Sequence, residues 1–313
     1  MGGGGGGGPF VNRSAEQFAK LVKKTEDETA VKAFEAELGG MLNDLLAEAN
    51  GRDVELVKAR LDEIKECLSA DLETAIDSLF GGSVARHTYV DGLSDIDSLL
   101  VLDGSPLEIA SPQAALGRIE KLVRQGISDA VSVSKGKLAV TVTYSDGMEI
   151  QLLPAFRTEN GLKVPSFRHS GWSSIAPEGF QKALSATNAH CGGKLVPMIK
   201  LAKAVMGTLP ESQRLTGYHV ESLAIAAFKN YGGPKNLASM LPAFFDKAKD
   251  LVHSPIRDST GQSVHVDGYL GGTGSPERLA AGHVLARLAK RMRNASAHSS
   301  HQQWQALLGL TDV

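Results

Sequence analysis

Between residues 79 and 103 the chain reads LFGGSVARHTYVDGLSDIDSLLVLD, and this stretch constrains the fold more than any other. Two aspartates interrupt a run of Ile, Leu and Val that would otherwise read as a plain core strand. In an extended strand alternate residues share a face, so Asp95 and Asp97 project together while Ile96 turns the other way into a core. Paired carboxylates on one face suit a hard divalent cation such as Mg²⁺. Upstream, Gly81, Gly82 and Ser83 can bring bare backbone N–H groups up to a phosphate, because glycine lacks the Cβ that would block the approach. The stretch asks for a sheet whose strand end meets a phosphate and metal site.

The flanks supply that sheet and its cover. Residues Ser14 to Ala49 carry Phe18, Leu21, Val22, Val31, Phe34, Leu38, Leu42 and Leu45 at helical spacing, which predicts one or two helices. After the Asn50-Gly51 break, the spacing of Val54, Val57, Leu61, Ile64, Leu68, Leu72, Ile76 and Leu79 predicts one long amphipathic helix from Asp53 to Leu79. Ser98 to Leu102 continues the aspartate strand, and Ser111 to Gln125 reads as a helix. Strands follow at about Ala130 to Ser134 and Lys137 to Tyr144, with Gly136 between them. A further strand, Met148 to Leu153, is expected to end at Pro154. From about Pro177 the pattern is helical: Phe180 to His190, Lys194 to Met206, Gly217 to Tyr231, Pro234 to Val252 and Pro276 to Ala297. Ser263 to Leu270 reads as a short strand or loop. The predicted fold class is α/β (α+β): a lobe with a mixed twisted sheet over 14–175, and a helical lobe over 176–313, with a flexible glycine-rich tail over 1–13.

Charge and cysteine content narrow the function. The chain has 313 residues, is 42% hydrophobic and carries a formal net charge of −2, with a pI of about 6.5. That balance argues against a protein whose main task is coating nucleic acid, although a local basic cleft is compatible with it. Cys67 and Cys191 lie far apart and form no CxxC pair, so they read as reduced thiols. His190-Cys191 is half of a metal motif without a second half, and reads as a helix end before Gly192-Gly193. No apolar run is long enough to span a membrane and no apolar signal core opens the chain, so a soluble, cytoplasmic protein is expected. Arg287, Lys290, Arg291 and Arg293 read as a solvated helix face. Arg86 and His87 lie where a loop could close over substrate.

A two-metal site for phosphoryl transfer needs about three carboxylates. Asp95 and Asp97 supply two, and the strand from Met148 places Glu149 and Gln151 on one face, of which only Glu149 is a carboxylate. Asp95, Asp97 and Glu149 are therefore the expected catalytic and metal-binding set, with two Mg²⁺ or Mn²⁺ ions as cofactors.

The pattern Gly82-Ser83, Asp95-Ile96-Asp97 and Glu149-Ile150-Gln151-Leu152-Leu153-Pro154-Ala155-Phe156 resembles the DNA-polymerase-β-like nucleotidyltransferase superfamily. Within it the chain is most similar to the oligoadenylate synthetase and cyclic GMP-AMP synthase branch and its bacterial relatives, the CD-NTases of anti-phage defence. Lys194 to Lys203 looks like the helix of that branch whose lysine holds the donor triphosphate, which places that role on Lys203. Gly217 to Leu223 is similar to the helix start that sets an aromatic residue beside the donor base. That maps onto Tyr218, and Ser222 one turn further on is also expected to bind the nucleotide. Trp304 in a closing amphipathic segment also suits the family, and the resemblance covers about residues 55 to 310.

The resemblance implies a synthase of cyclic or short linear oligonucleotides. Its substrates are nucleoside triphosphates: ATP, and GTP, UTP or CTP. Gly82 and Ser83 then hold the β- and γ-phosphates, and defence-operon effector or regulator proteins are the expected partners. One departure leaves a choice open. Many members of the branch carry the third carboxylate three residues before the proline of the Leu-Pro-Ala segment, where this chain has Gln151. Glu149 lies two residues earlier on the same face, about 7 Å away at the usual strand rise. Either Glu149 serves as the third ligand, or the protein is a catalytically silent nucleotide sensor. A transferase adding nucleotides to an RNA end is a further alternative, for which a more basic surface is expected.

Overall fold

The computed structural model describes residues 14–49, 54–72, 76–80, 96–159, 161–166, 170–175, 177–256 and 267–310. The glycine tract, Gly81 to Ser83, Arg86, His87, Asp95 and residues 263–266 lie outside the described residues. Among the described residues there are nine α-helices and one seven-stranded sheet.

The sheet runs in the order β1-β2-β5-β4-β3, comprising β1 (Asp77–Phe80), β2 (Ile96–Val101), β3 (Ala130–Lys135), β4 (Val140–Tyr144) and β5 (Glu149–Thr158). Strand β6 (Gly161–Pro165) pairs with the second half of β5, and β7 (Trp172–Ile175) pairs with β6. The β2–β5 pair is parallel and the other pairs are antiparallel, which is the mixed sheet expected from the sequence.

Two expectations about these elements are corrected. Helix α2 runs over Val54–Leu72, and Ile76 to Leu79 belong to the approach and body of β1 rather than to the helix. The apolar residues at 72, 76 and 79 fit a helical period, but β1 gains a full antiparallel ladder with β2, from Asp77 opposite Val101 to Phe80 opposite Ser98. Strand β5 also passes straight through Pro154. The pairing of β4 with β5 ends at Val140 opposite Leu152, so at Pro154 β5 no longer has β4 beside it and the missing N–H costs no β4 ladder bond. On its other side Pro154 stays in register with Leu100 of β2.

One face of the sheet is covered by α2 and α3 (Pro112–Gly126). Val57, Leu61, Ile64, Leu68 and Leu72 of α2 and Leu116, Ile119 and Val123 of α3 close over Leu100, Leu102, Val140, Val142, Ile150 and Leu152. Each fully buried Leu or Ile contributes about 1.5–3 kcal/mol. Helix α3 starts where its sequence dictates: the Ser111 side chain accepts from the Ala114 N–H and Pro112 fills the first turn. Arg60 of α2 lies 3.8 Å over the Tyr144 ring and bonds Asp146 at 2.9 Å, pinning the helix to the β4–β5 turn. Burial pushes the Tyr144 phenol up to about 12.

The second half of the described chain is helical, as its texture predicts: α4 (Pro177–His190), α5 (Leu195–Gly207), α6 (Gly217–Phe228), α7 (Leu237–Leu251), α8 (Pro276–Ala297) and α9 (His301–Leu308). Trp304 of α9 is fully buried among them. Helix α1 (Ala15–Ala49) precedes the sheet in the chain, yet its Phe34, Leu38, Leu42 and Leu46 belong to this helical core. Val22 and Val31 of the same helix are exposed. No described helix is long and apolar enough to cross a membrane.

Candidate functional site

The face of the sheet turned away from α2 and α3 divides along the strands. At one end Leu99, Val101, Ala155, Leu162 and Val164 make a small apolar cluster. Toward the starts of β2 and β5 that alternation gives way to polar residues. Asp97 stands two residues before Leu99 in β2, at the register position opposite Gln151, which in turn is opposite Thr141 of β4. Glu149, opposite Thr143, opens β5 on the same face as Gln151. Its side chain is exposed, and its Oε1 accepts from the Thr143 hydroxyl at 3.3 Å.

Parallel pairing thus brings two of the three expected carboxylate positions onto adjacent strands. Gln151, a neutral amide, holds the place directly across from Asp97. Asp95, the remaining carboxylate, and Gly82 and Ser83 fall outside the described residues. The described residues show one exposed carboxylate at this end of the sheet, Glu149, two positions along β5 from the Gln151 that pairs with Asp97, and a carboxylate is the donor type a hard divalent cation takes; three His, Cys, Asp or Glu residues in ligating proximity do not occur among the described residues. At the opposite end of the same strand pair, Asp103 accepts from the Arg157 amide at 2.7 Å and from its guanidinium at 2.8 Å, which fixes the β2–β5 register.

The helical lobe contributes the other expected residues. Lys203 is buried inside α5, and its ammonium donates to Glu221 of α6 at 2.7 Å. Two charges are tolerated at that depth only as a hydrogen-bonded pair. Lys200, one turn earlier, is half-buried; burial, and then the charge of Lys203, push its pKa down. The first turn of α6 carries Tyr218, whose ring packs on Phe180 of α4 at 4.7 Å. The buried Ser222 hydroxyl bonds back to the Tyr218 carbonyl at 2.9 Å. Thr216 caps this helix, its side chain accepting from the His219 N–H. Gly217 approaches Lys203 so closely that a Cβ there would lie 3.4 Å from its Cε and Nζ.

Sequence reading missed Glu221. Its signal was present, a carboxylate inside the otherwise apolar helix GYHVESLAIAAF, but its partner is 18 residues away and only the packing of α5 on α6 identifies it. The same is true of His219, Asp267 and Arg278, all fully buried, with Asp267 meeting both of the others. The basic run on α8 is exposed, with Arg287 bonded to Gln213 and Arg293 to Asp246.

Residues 37–188 match the family described as the Second Messenger Oligonucleotide or Dinucleotide Synthetase domain. The fold is similar to that of the Bradyrhizobium diazoefficiens CD-NTase CdnG in complex with GTP, at 16% identity and a TM-score of 0.65 over 89% of this chain and 95% of that one. It is also similar to Vibrio cholerae DncV, a cyclic AMP-GMP synthase and prokaryotic cGAS homolog, at 11% identity and a TM-score of 0.60 over 96% and 93% of the two chains. CdnC of E. coli MS115-1, solved in a CdnC:HORMA-deltaN complex, aligns at 14% identity and a TM-score of 0.57 over 86% and 91%. No curated protein sequence matches the chain. Residues 37–188 thus match the Second Messenger Oligonucleotide or Dinucleotide Synthetase domain, and the chain has the fold of the CD-NTases.

Proposed function

We propose that this protein joins nucleoside triphosphates into cyclic or short linear oligonucleotide second messengers, in a bacterial anti-phage defence system with effector or regulator partners. The observation that carries the reading is the parallel β2–β5 pair, which puts Asp97 and Glu149 on adjacent strands within the synthetase domain. Asp95, Asp97 and Glu149 would hold two Mg²⁺ or Mn²⁺ ions, which when bound lower the pKa of an attacking hydroxyl and neutralise a leaving pyrophosphate. Gly82 and Ser83 donate to the β- and γ-phosphates through backbone and hydroxyl groups. Lys203 would donate to the triphosphate from the helical lobe while Glu221 holds its ammonium and offsets its charge, Tyr218 would offer a ring face to the donor base, and Ser222 one turn on would add a hydroxyl to the nucleotide site.

A second reading has its own observation. The position facing Asp97 is filled by a glutamine, which brings no charge to a cation, and a nucleotide sensor without turnover would tolerate it. Incubation of the purified protein with labelled ATP, GTP, CTP and UTP and Mg²⁺ or Mn²⁺, followed by phosphatase and chromatography, separates the readings. A synthase gives phosphatase-resistant products, which Glu149→Ala reduces at least about 100-fold while Gln151→Ala changes them less than about threefold. Extension of added RNA alone would instead identify an RNA-end transferase. Nucleotide binding without any product under either metal would count against the synthase and for the sensor, once an absent activating partner has been excluded.

A further inference from the structure

The first turn of α6 is held on its buried side by a network that the proposed chemistry does not use. The Thr216 N–H donates to the Tyr269 hydroxyl oxygen at 3.2 Å, and that hydroxyl lies 2.8 Å from His219 Nδ1. Nε2 is the ring nitrogen turned to the Asp267 carboxylate, so we assign the imidazole proton to it, and Nδ1 then accepts from the Tyr269 hydroxyl. Nε2 faces Asp267 Oδ2 at 3.7 Å. The same carboxylate oxygen accepts from Arg278 at 2.6 Å and from the Ile256 N–H at 3.1 Å. Arg278 also donates to the Val252 carbonyl at 2.9 Å and to the Gly271 carbonyl at 3.0 Å.

His219, Asp267 and Arg278 are fully buried, whereas the Tyr269 ring is 37% exposed and reaches in with its hydroxyl. Four separate pieces of chain meet here: the first turn of α6, the end of α7, the 267–271 turn and α8. A buried ion pair is poor evidence for net stability, because desolvation offsets its attraction, but such networks fix one arrangement against its neighbours. The residue adjacent to His219 is Tyr218, on the accessible side of the same turn.

We propose that Tyr269, His219, Asp267 and Arg278 form a latch that sets the first turn of α6, and through it Tyr218, against a bound nucleoside triphosphate. This rests on the nucleotide-site reading above. The four are positioning residues, and none is assigned contact with the nucleotide. Tyr269 is the part of the latch that can be removed without emptying the core, since phenylalanine keeps the ring and deletes only the hydroxyl.

Two measurements on the full chain test this: amide hydrogen exchange over residues 216–222, and the Kd for α,β-methylene-ATP with Mg²⁺, each for wild type, Tyr269→Phe and His219→Asn. Tyr269→Phe is expected to lower protection of this turn about tenfold and to weaken nucleotide binding by about the same factor, the worth of one neutral hydrogen bond. His219→Asn, whose amide oxygen can accept where Nδ1 did, is expected to lose less of both. Unchanged protection overturns the latch whatever the nucleotide does. Lost protection with an unchanged Kd makes the network structural only and overturns its positioning role. A wild type that binds no nucleotide overturns that role together with the functional reading, and the exchange data then show separately whether the network orders the turn.

Discussion

His219 is the residue whose surroundings translate most directly into a solution property. Burial pushes its pKa from 6.5 down to about 4, with Asp267 opposing the shift and Arg278 reinforcing it. The folded protein therefore holds a neutral imidazole, while the unfolded chain takes up a proton below about pH 6.5. The stabilisation is complete above that pH and is lost as the pH falls toward 4, at about 1.4 kcal/mol per unit. Urea unfolding at steps from pH 7 to 4.5 should show a steeper loss for wild type than for His219→Asn, which has nothing to titrate at that position. Equal slopes would mean that the imidazole is not held neutral. Asp267 is itself held below the usual carboxylate range, so its own contribution is lost only at lower pH. None of this was legible in the residue string. A lone histidine after Tyr218 gives no sign of its carboxylate 48 positions later, because the loop joining α7 to α8 makes that contact.

Among the elements, α2 and α3 pack closely enough to be tested by a single methyl group. A Cβ built on Gly126 would lie 2.2 Å from the Cys67 sulfur, so Gly126→Ala must push that side chain aside. Overpacking of this kind costs about 1–3 kcal/mol. The melting temperature should fall in Gly126→Ala and recover in part in Gly126→Ala with Cys67→Ala; an unchanged melting temperature would show that the helices can slide apart freely. The sequence marked α3 well because its cap and its apolar face agree locally, from Ser111 and Pro112 to Leu122. The end of α2 was misread for the opposite reason. Leu72, Ile76 and Leu79 satisfy a helical period, and only pairing with β2, some 20 residues downstream, makes 77–80 a strand. Pro154 misled likewise, since whether a proline ends a strand depends on which neighbour runs beside it.

At the scale of the molecule, two cores divide the work. The sheet with α2 and α3 sets the β2–β5 register and hence the spacing of Asp97 and Glu149, while α1 and the C-terminal helices set Lys203 and Tyr218. Alternation marked the carboxylates as candidates, because a carboxylate set into an apolar strand is costly unless water, a donor or a cation meets it, and the resemblance gave that pattern most of its weight. Lys203 and Tyr218 could not, since a lysine and a tyrosine on apolar helices look like any others; the resemblance of the surrounding segments singled them out. What neither route supplied was the support behind them: Glu221 across from Lys203, and the Tyr269–His219 contact behind Tyr218.

The central claim is that Asp97 belongs to a site that joins nucleotides. Its most direct test is Asp97→Asn in the labelled-triphosphate assay, run beside wild type with the melting temperature recorded for both. The substitution keeps size and shape, removes the charge and turns one acceptor oxygen into an amide donor. The prediction is loss of phosphatase-resistant product by at least about 100-fold with the fold intact; product formation within a few-fold of wild type would contradict the assignment of the site.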